Sequence, residues 1–413
     1  MDDYFEEDKH PSLMRTQQKK LFQILDLNHD TSLELREYRQ LFTWKVLIYD
    51  TYTQSLINLL LKVGDMRSHN IALFLNLETK RNTITNVAAI YLIKPCRESI
   101  DYLIEDLNGK LYDYVFINFI SPCPPSILET LAVECGRCNN QNRVLQIYEH
   151  YLDYFSVIND MFSLNLSDAY LSLYRKYEIT AGIDNYLETV AERIYMTMKS
   201  NSFLPYVQFL KKHENCEKVA RKLCELFGKM GKTEEEKYGL SESSRPLLII
   251  LDRSIDLHTM LHHPWKYISL IHDVFGIDNG RVIGLLDKGK KVDYELNFLD
   301  DQFLQSHILA DYPNVAGDIS SEFNKWTHEY DTMMGAESKN VSSKLNEALD
   351  QVPEMTQRKI YIEAHTNIAT KLYDQVKKRE YDKLNDLEIE IMTSTSLSSK
   401  VCYPIIHRHK EKY

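Results

Sequence analysis

The segment Leu247-Leu248-Ile249-Ile250-Leu251-Asp252-Arg253, followed by Asp256, His262-His263-Pro264-Trp265, Tyr267 and His272-Asp273-Val274-Phe275, decides how this chain reads. Five consecutive apolar residues between Pro246 and a charged pair predict a strand buried on both faces, as in a parallel sheet covered by helices. After Asp252 the apolar spacing becomes helical, so the charged pair marks the exit from a core.

Working towards the N-terminus, residues 44–120 alternate strands with helices. Strands are predicted at 44–49, 71–75, 88–93 and 114–120, with helices near 54–63 and 97–107. Such alternation predicts a parallel sheet with helices on both faces, a Rossmann-like first domain. Pro122, Pro124 and Pro125 then open a helix, because proline is tolerated in a first helical turn. That helix places Leu128, Leu131, Ala132 and Cys135 on one stripe; a second, from Arg143, is predicted to align Val144, Ile147, Tyr148, Tyr151, Leu152 and Phe155. Periodicity alone makes each stripe a core face. Residues 160–227 read as mostly helical and 228–244 as a polar linker. Beyond Asp252 the reading is almost entirely helical, through 300–309, 319–333 and a pair at 341–351 and 355–378 broken by Pro353. The domains expected are a helix and polar loop (1–43), an α/β first domain (44–155), the first part of a second (156–254), a helical third (255–397) and a tail (398–413).

At 413 residues there is ample length for two or three cores. A net charge of −11 speaks against a protein whose main partner is nucleic acid, since those carry a basic face. No apolar run approaches the roughly 20 residues of a bilayer span, and the acidic N-terminus, Met1-Asp2-Asp3-Tyr4-Phe5-Glu6, does not read as a secretory signal. Membrane residence is therefore expected to be peripheral, through partners. Seven scattered cysteines suit a reducing cytosol, where acceptors such as Asn165 and Asn340 would go unglycosylated.

The segment around Leu247 closely resembles the signature of the Sec1/Munc18 family, at Ile250-Leu251-Asp252-Arg253, Asp256, His263, Tyr267 and Asp273. Three further stretches resemble its Sly1-like, ER–Golgi branch: Trp44-Lys45-Val46-Leu47-Ile48-Tyr49-Asp50, Tyr114-Val115-Phe116-Ile117-Asn118-Phe119, and Val352-Pro353-Glu354-Met355-Thr356 on to Ala364-His365-Thr366-Asn367-Ile368-Ala369. The resemblance implies an arch: a Rossmann-like N-terminal domain, a partial second α/β domain and a mostly helical third. It implies a non-enzymatic protein that binds a Golgi syntaxin-type SNARE and assists SNARE assembly. Leu128, Leu131, Ala132, Cys135, Val144, Ile147 and Tyr148 match the groove that accepts a syntaxin N-terminal peptide, with Cys135 replacing a larger aliphatic residue. Glu129, Glu134 and Glu149 nearby would attract a basic residue of that peptide. The hairpin at Pro353, His365 and Asn367 matches the family's SNARE-aligning template. Asp252, Arg253 and Asp256 are expected to ion-pair between the second and third domains.

The resemblance also implies that the family's C-terminal third, which completes the second domain's sheet, is missing after about Leu397. A truncated or mis-spliced product is the expectation, and its unpaired strand an aggregation hazard. Within the family, a vacuolar or exocytic role is the alternative. Outside it stands a calcium-regulated adaptor, because Asp26, Asn28, Asp30, Glu34 and Glu37 fall at EF-hand ligand positions. Thr31 occupies the place of the turn glycine, which weakens that reading. Cys135-Gly136-Arg137-Cys138 has redox-motif spacing but no second cysteine pair and no preceding buried strand. Gly228–Thr233 fails as a phosphate loop, and no complete catalytic set or cofactor site assembles.

Overall fold

The computed structural model describes residues 12–29, 44–138, 140, 142–174, 180–230, 245–256, 262–278, 280–287, 290–335 and 343–393. They divide into two packed units, Met1–Ile255 and Asp256–Tyr413.

In the first unit, a helix Leu13–Leu25 (α1) precedes five strands: Lys45–Tyr49 (β1), Ile71–Asn76 (β2), Ala88–Ile93 (β3), Tyr114–Phe119 (β4) and Val144–Glu149 (β5). They form one sheet in the order β2-β1-β3-β4-β5, parallel throughout. Thr51–Leu60 (α2), Val63–Ser68 (α3), Arg97–Asn108 (α4) and Pro125–Arg137 (α5) make the crossovers. Every residue of β3 is buried, as its unbroken apolar run requires in a central parallel strand. Asp50 ties strand ends together: one carboxylate oxygen accepts from Thr53 N at 2.8 Å and caps α2, while the other accepts from Lys94 N at 2.7 Å. Buried Gln17 seats α1, donating to Leu152 O and Tyr154 O and accepting from Ser156 Oγ.

The predicted helix from Arg143 is instead β5. Tertiary pairing with β4, from Val115↔Val144 to Phe119↔Glu149, decides between two states that the residues tolerate. A small ribbon follows, Phe155–Ile158 (β6) with Met161–Ser163 (β7), then helices Ala169–Tyr174 (α6), Thr180–Ser200 (α7) and Glu214–Gly228 (α8).

Between and after these helices, Tyr206–Phe209 (β8) and Leu247–Ile250 (β9) pair in parallel as a two-stranded sheet. The expectation of a strand covered on both faces fails. Leu248 and Ile250 pack on the core of α7 and α8, whereas Leu247, Ile249 and Leu251 are 57 %, 54 % and 58 % exposed. With helices on one side and one strand neighbour, β9 keeps an open face.

The second unit contains Tyr267–Phe275 (α9), an antiparallel hairpin of Arg281–Asp287 (β10) and Lys290–Glu295 (β11), then Gln302–His307 (α10), Tyr312–Gly335 (α11), Ser343–Arg379 (α12) and Tyr381–Thr393 (α13). The hairpin interrupts a region read as helical. Two helices parted at Pro353 are not what forms either: α12 runs through Pro353. A proline inside a helix costs about 3 kcal/mol. Tertiary contacts offset it just beyond: Trp326 Nε1 donates to Met355 O at 2.9 Å, and Arg358 pairs with Glu322 and Glu329.

Candidate functional site

The residues matched to the family's peptide groove fall on α5 and β5. Pro125 at the first helical position starts α5, and its inner stripe docks on the sheet. Leu131 is buried at 1 % exposure and belongs to the main core, with Leu128, Cys135 and Val144 half-buried against it. Ala132 is exposed, Ile147 is 45 % exposed, and Tyr148 is half-buried with its ring 6.3 Å from that of His150. Residues five apart on an unbroken strand face opposite ways. Here Val144 packs beside Leu131, and Glu149 Oε1 accepts from Cys123 N at 2.9 Å just ahead of α5. The register shift between Val115 and Phe116 reconciles them, a bulge that re-phases β5 and turns Ile147 and Glu149 towards α5.

Leu128, Leu131, Cys135 and Val144 thus share one cluster, and the apolar side chains Ala132 and Ile147 are exposed on the same two elements. Val133, 60 % exposed, lies off the buried stripe, about 200° round α5 from Leu131. Of the three acidic residues, Glu134 bonds Arg137 at 2.9 Å and Glu149 is engaged by Cys123 N, while Glu129 is exposed.

The signature residues do not converge on one site. Asp252 lies in the first unit, accepting from Tyr174 Oη and from Ser254; these hydrogen bonds hold its carboxyl below the ordinary range against the opposing effect of partial burial. Arg253 and Asp256 are exposed. In the second unit, three signature residues each fasten α12 or α13. His263 Nδ1 meets Glu388 Oε1 at 2.5 Å and its backbone N donates to Oε2 at 2.9 Å. Tyr267 Oη meets His365 Nδ1 at 3.0 Å, and His365 Nε2 meets Asp301 Oδ2 at 2.9 Å, with all three buried. Asp273 accepts from Tyr381 Oη at 2.7 Å.

Burial pushes the Tyr267 phenol far above its ordinary range and the Tyr381 phenol up to about 12, so both remain neutral donors. Sequence reasoning missed the partners Asp301, Tyr381 and Glu388. Only Asp301 carried a signal, as an acid one residue before a helix, and its Oδ1 does cap α10 by accepting from Leu304 N at 3.0 Å.

Pro353 is exposed on α12. Asn367 lines a groove of about 640 Å³ between α11 and α12 with Ile319, Phe323, Glu363 and Thr366. His365 points instead into the core and holds the helices' base.

Of the residues at EF-hand ligand positions, Asp26 and Asn28 lie among the described residues. Asp26 Oδ1 is taken by His69 Nδ1 at 2.8 Å and lies 3.7 Å from Lys45 Nζ, and Asn28 donates to Asn118 at 2.9 Å. Asp30, Glu34 and Glu37 lie outside the described residues. Among the described residues no helix is long and apolar enough to cross a membrane.

The Sec1 family model matches residues 45–411, and the chain belongs to that family. Among curated relatives it is similar to Protein sly1 of Schizosaccharomyces pombe, 30 % identical across 93 % of this chain and 63 % of the relative. It is also similar to human Sec1 family domain-containing protein 1, 29 % identical across 87 % of this chain and 62 % of the relative. The crystal structure of Sly1p in complex with an N-terminal peptide of Sed5p superimposes with a TM-score of 0.78 at 26 % identity, covering 92 % of this chain and 62 % of that one. The chain thus spans less than two thirds of the length of these relatives.

Proposed function

We propose that this chain is a non-enzymatic, Sly1-like binder of syntaxin-type SNAREs that promotes SNARE complex assembly in ER–Golgi vesicle docking and fusion, peripherally associated with those membranes through its partners. The observation that carries the reading is the α5–β5 surface, apolar and half-open, on a fold shared with Sly1p bound to an N-terminal peptide of Sed5p. An apolar anchor of the peptide enters beside Leu128, Ala132, Cys135 and Ile147, and Glu129 draws a basic residue to the rim; Tyr148, next to Ile147 on β5, faces the other side of the sheet and drops out of the set. The α11–α12 groove around Asn367 supplies the surface for SNARE helices, in the helix-in-groove manner.

Titration with a fluorescent N-terminal peptide of an ER–Golgi syntaxin tests this. Leu131→Lys is expected to abolish binding, but it places a charge in the core and also endangers folding. Ile147→Glu is the cleaner probe, since the side chain is already 45 % exposed. Loss of binding in a variant that melts like the parent supports the surface; undiminished binding overturns it.

A further inference from the structure

The Cys135-Gly136-Arg137-Cys138 segment closes α5, and both cysteines are half-buried free thiols. Three residues apart on a helix, their Cα atoms stand about 5 Å from each other, inside the 4.4–6.8 Å span of disulfides. Helical Cβ atoms at that spacing are about 5–6 Å apart, so a bond requires the last turn to tighten. That turn is built to give. Cys138 is already the cap residue, at φ −99° and ψ 6°, held by one 3.2 Å bond from its N–H to Glu134 O, and Gly136 between the cysteines carries no side chain.

Cys135 packs against the cluster that holds Leu131 and Val144, so movement of its turn moves one wall of the α5–β5 surface. We infer that Cys135 and Cys138 form a reversible intramolecular disulfide that reshapes this wall and weakens peptide binding; the second half rests on the function proposed above.

The chemistry needs a low-molecular-weight disulfide, such as oxidised glutathione, as oxidant. One protein thiolate attacks a reagent sulfur and releases one thiol; the second cysteine then displaces the other. Two electrons pass to the reagent, its S–S bond and two protein S–H bonds break, and one protein S–S bond and two reagent S–H bonds form. The setting makes this slow but durable. Burial, then the neighbouring Cys138 and Glu134, push the Cys135 thiol up, and the negative end of the helix acts in the same sense. A dithiol whose thiolate is not stabilised gains little from reduction, the reverse of motifs placed at helix N-termini.

The test incubates the purified full chain with oxidised glutathione at pH 8, digests it with trypsin without reductant, and titrates the syntaxin peptide before and after. Trypsin cuts after Arg137, between the cysteines, so the bond appears as a linked peptide pair, absent from Cys135→Ser and Cys138→Ser. Oxidised protein is expected to bind about five-fold more weakly, with recovery in dithiothreitol and no change in Cys138→Ser. Glutathione mixed disulfides alone overturn the bond, and a linked pair with unaltered affinity overturns the gate. Reduced protein that binds no peptide removes the groove reading and the gate with it, while the digest still judges the bond.

Discussion

Two apolar strands of this chain meet opposite fates. β3, Ala88–Ile93, is buried at every position between β1 and β4, whereas β9, Leu247–Ile250, alternates packed and exposed side chains beside a single partner. Their sequences carry the same signal, an unbroken apolar run. The difference shows that such a run reports the cover a strand can accept, and the number of neighbouring strands and helices decides the cover it has. An open β9 face of Leu247 and Ile249 beside exposed Tyr206 is a patch of the kind that marks contact or association.

The largest effect that sharpens this contrast is expected in the covered sheet's flank. Asp106 accepts two bonds from Arg81 Nη2, at 2.8 and 2.7 Å, and one from buried Tyr91 Oη at 2.8 Å. Asp106→Ala strands a buried guanidinium and should cost about 3–5 kcal/mol in urea unfolding. A loss below about 1 kcal/mol would mean that the flank is hydrated.

Next comes the direct comparison of the two strands. Ile90→Ala removes a fully buried side chain and should cost about 2–5 kcal/mol, while Ile249→Ala, half exposed, should cost less than about 1 kcal/mol. Equal losses would break the distinction between the strands.

The pH response gives a third probe. Burial, reinforced by the charge of Lys20, depresses His150 to about 4 from an ordinary 6.5. The folded state keeps it neutral while the unfolded chain takes up a proton below pH 6.5, so stability is fully present above that pH and falls as pH drops towards 4. The loss should reach about 3 kcal/mol at most, and His150→Gln should flatten that part of the profile. The smallest effect is expected at the open face: Ile249→Lys should shift stability by no more than about 0.5 kcal/mol yet lower concentration-dependent light scattering. Unchanged scattering would show that the face is not the associating surface.

The central strands and the α5 helix were legible because their signals are local: β1, β3 and β4 are short runs dominated by aliphatic and aromatic residues, and Pro125 marks a helix start. The hairpin β10–β11 was overlooked although Gly289 stands between alternating residues such as Val292 and Tyr294, a readable turn signal. By itself, the sequence determined the family, four strands of the first-domain sheet and the residues Leu128, Leu131, Cys135 and Val144 that share one cluster. Only the tertiary structure decided that Val144–Glu149 is a strand, that Pro353 lies inside a helix, and that His263, Tyr267 and Asp273 are fasteners for α12 and α13. The physical reason is that spacing records which side chains seek burial, while strand pairing and distant partners such as β4, Trp326 and Glu388 supply the free energy that selects among the local structures compatible with it.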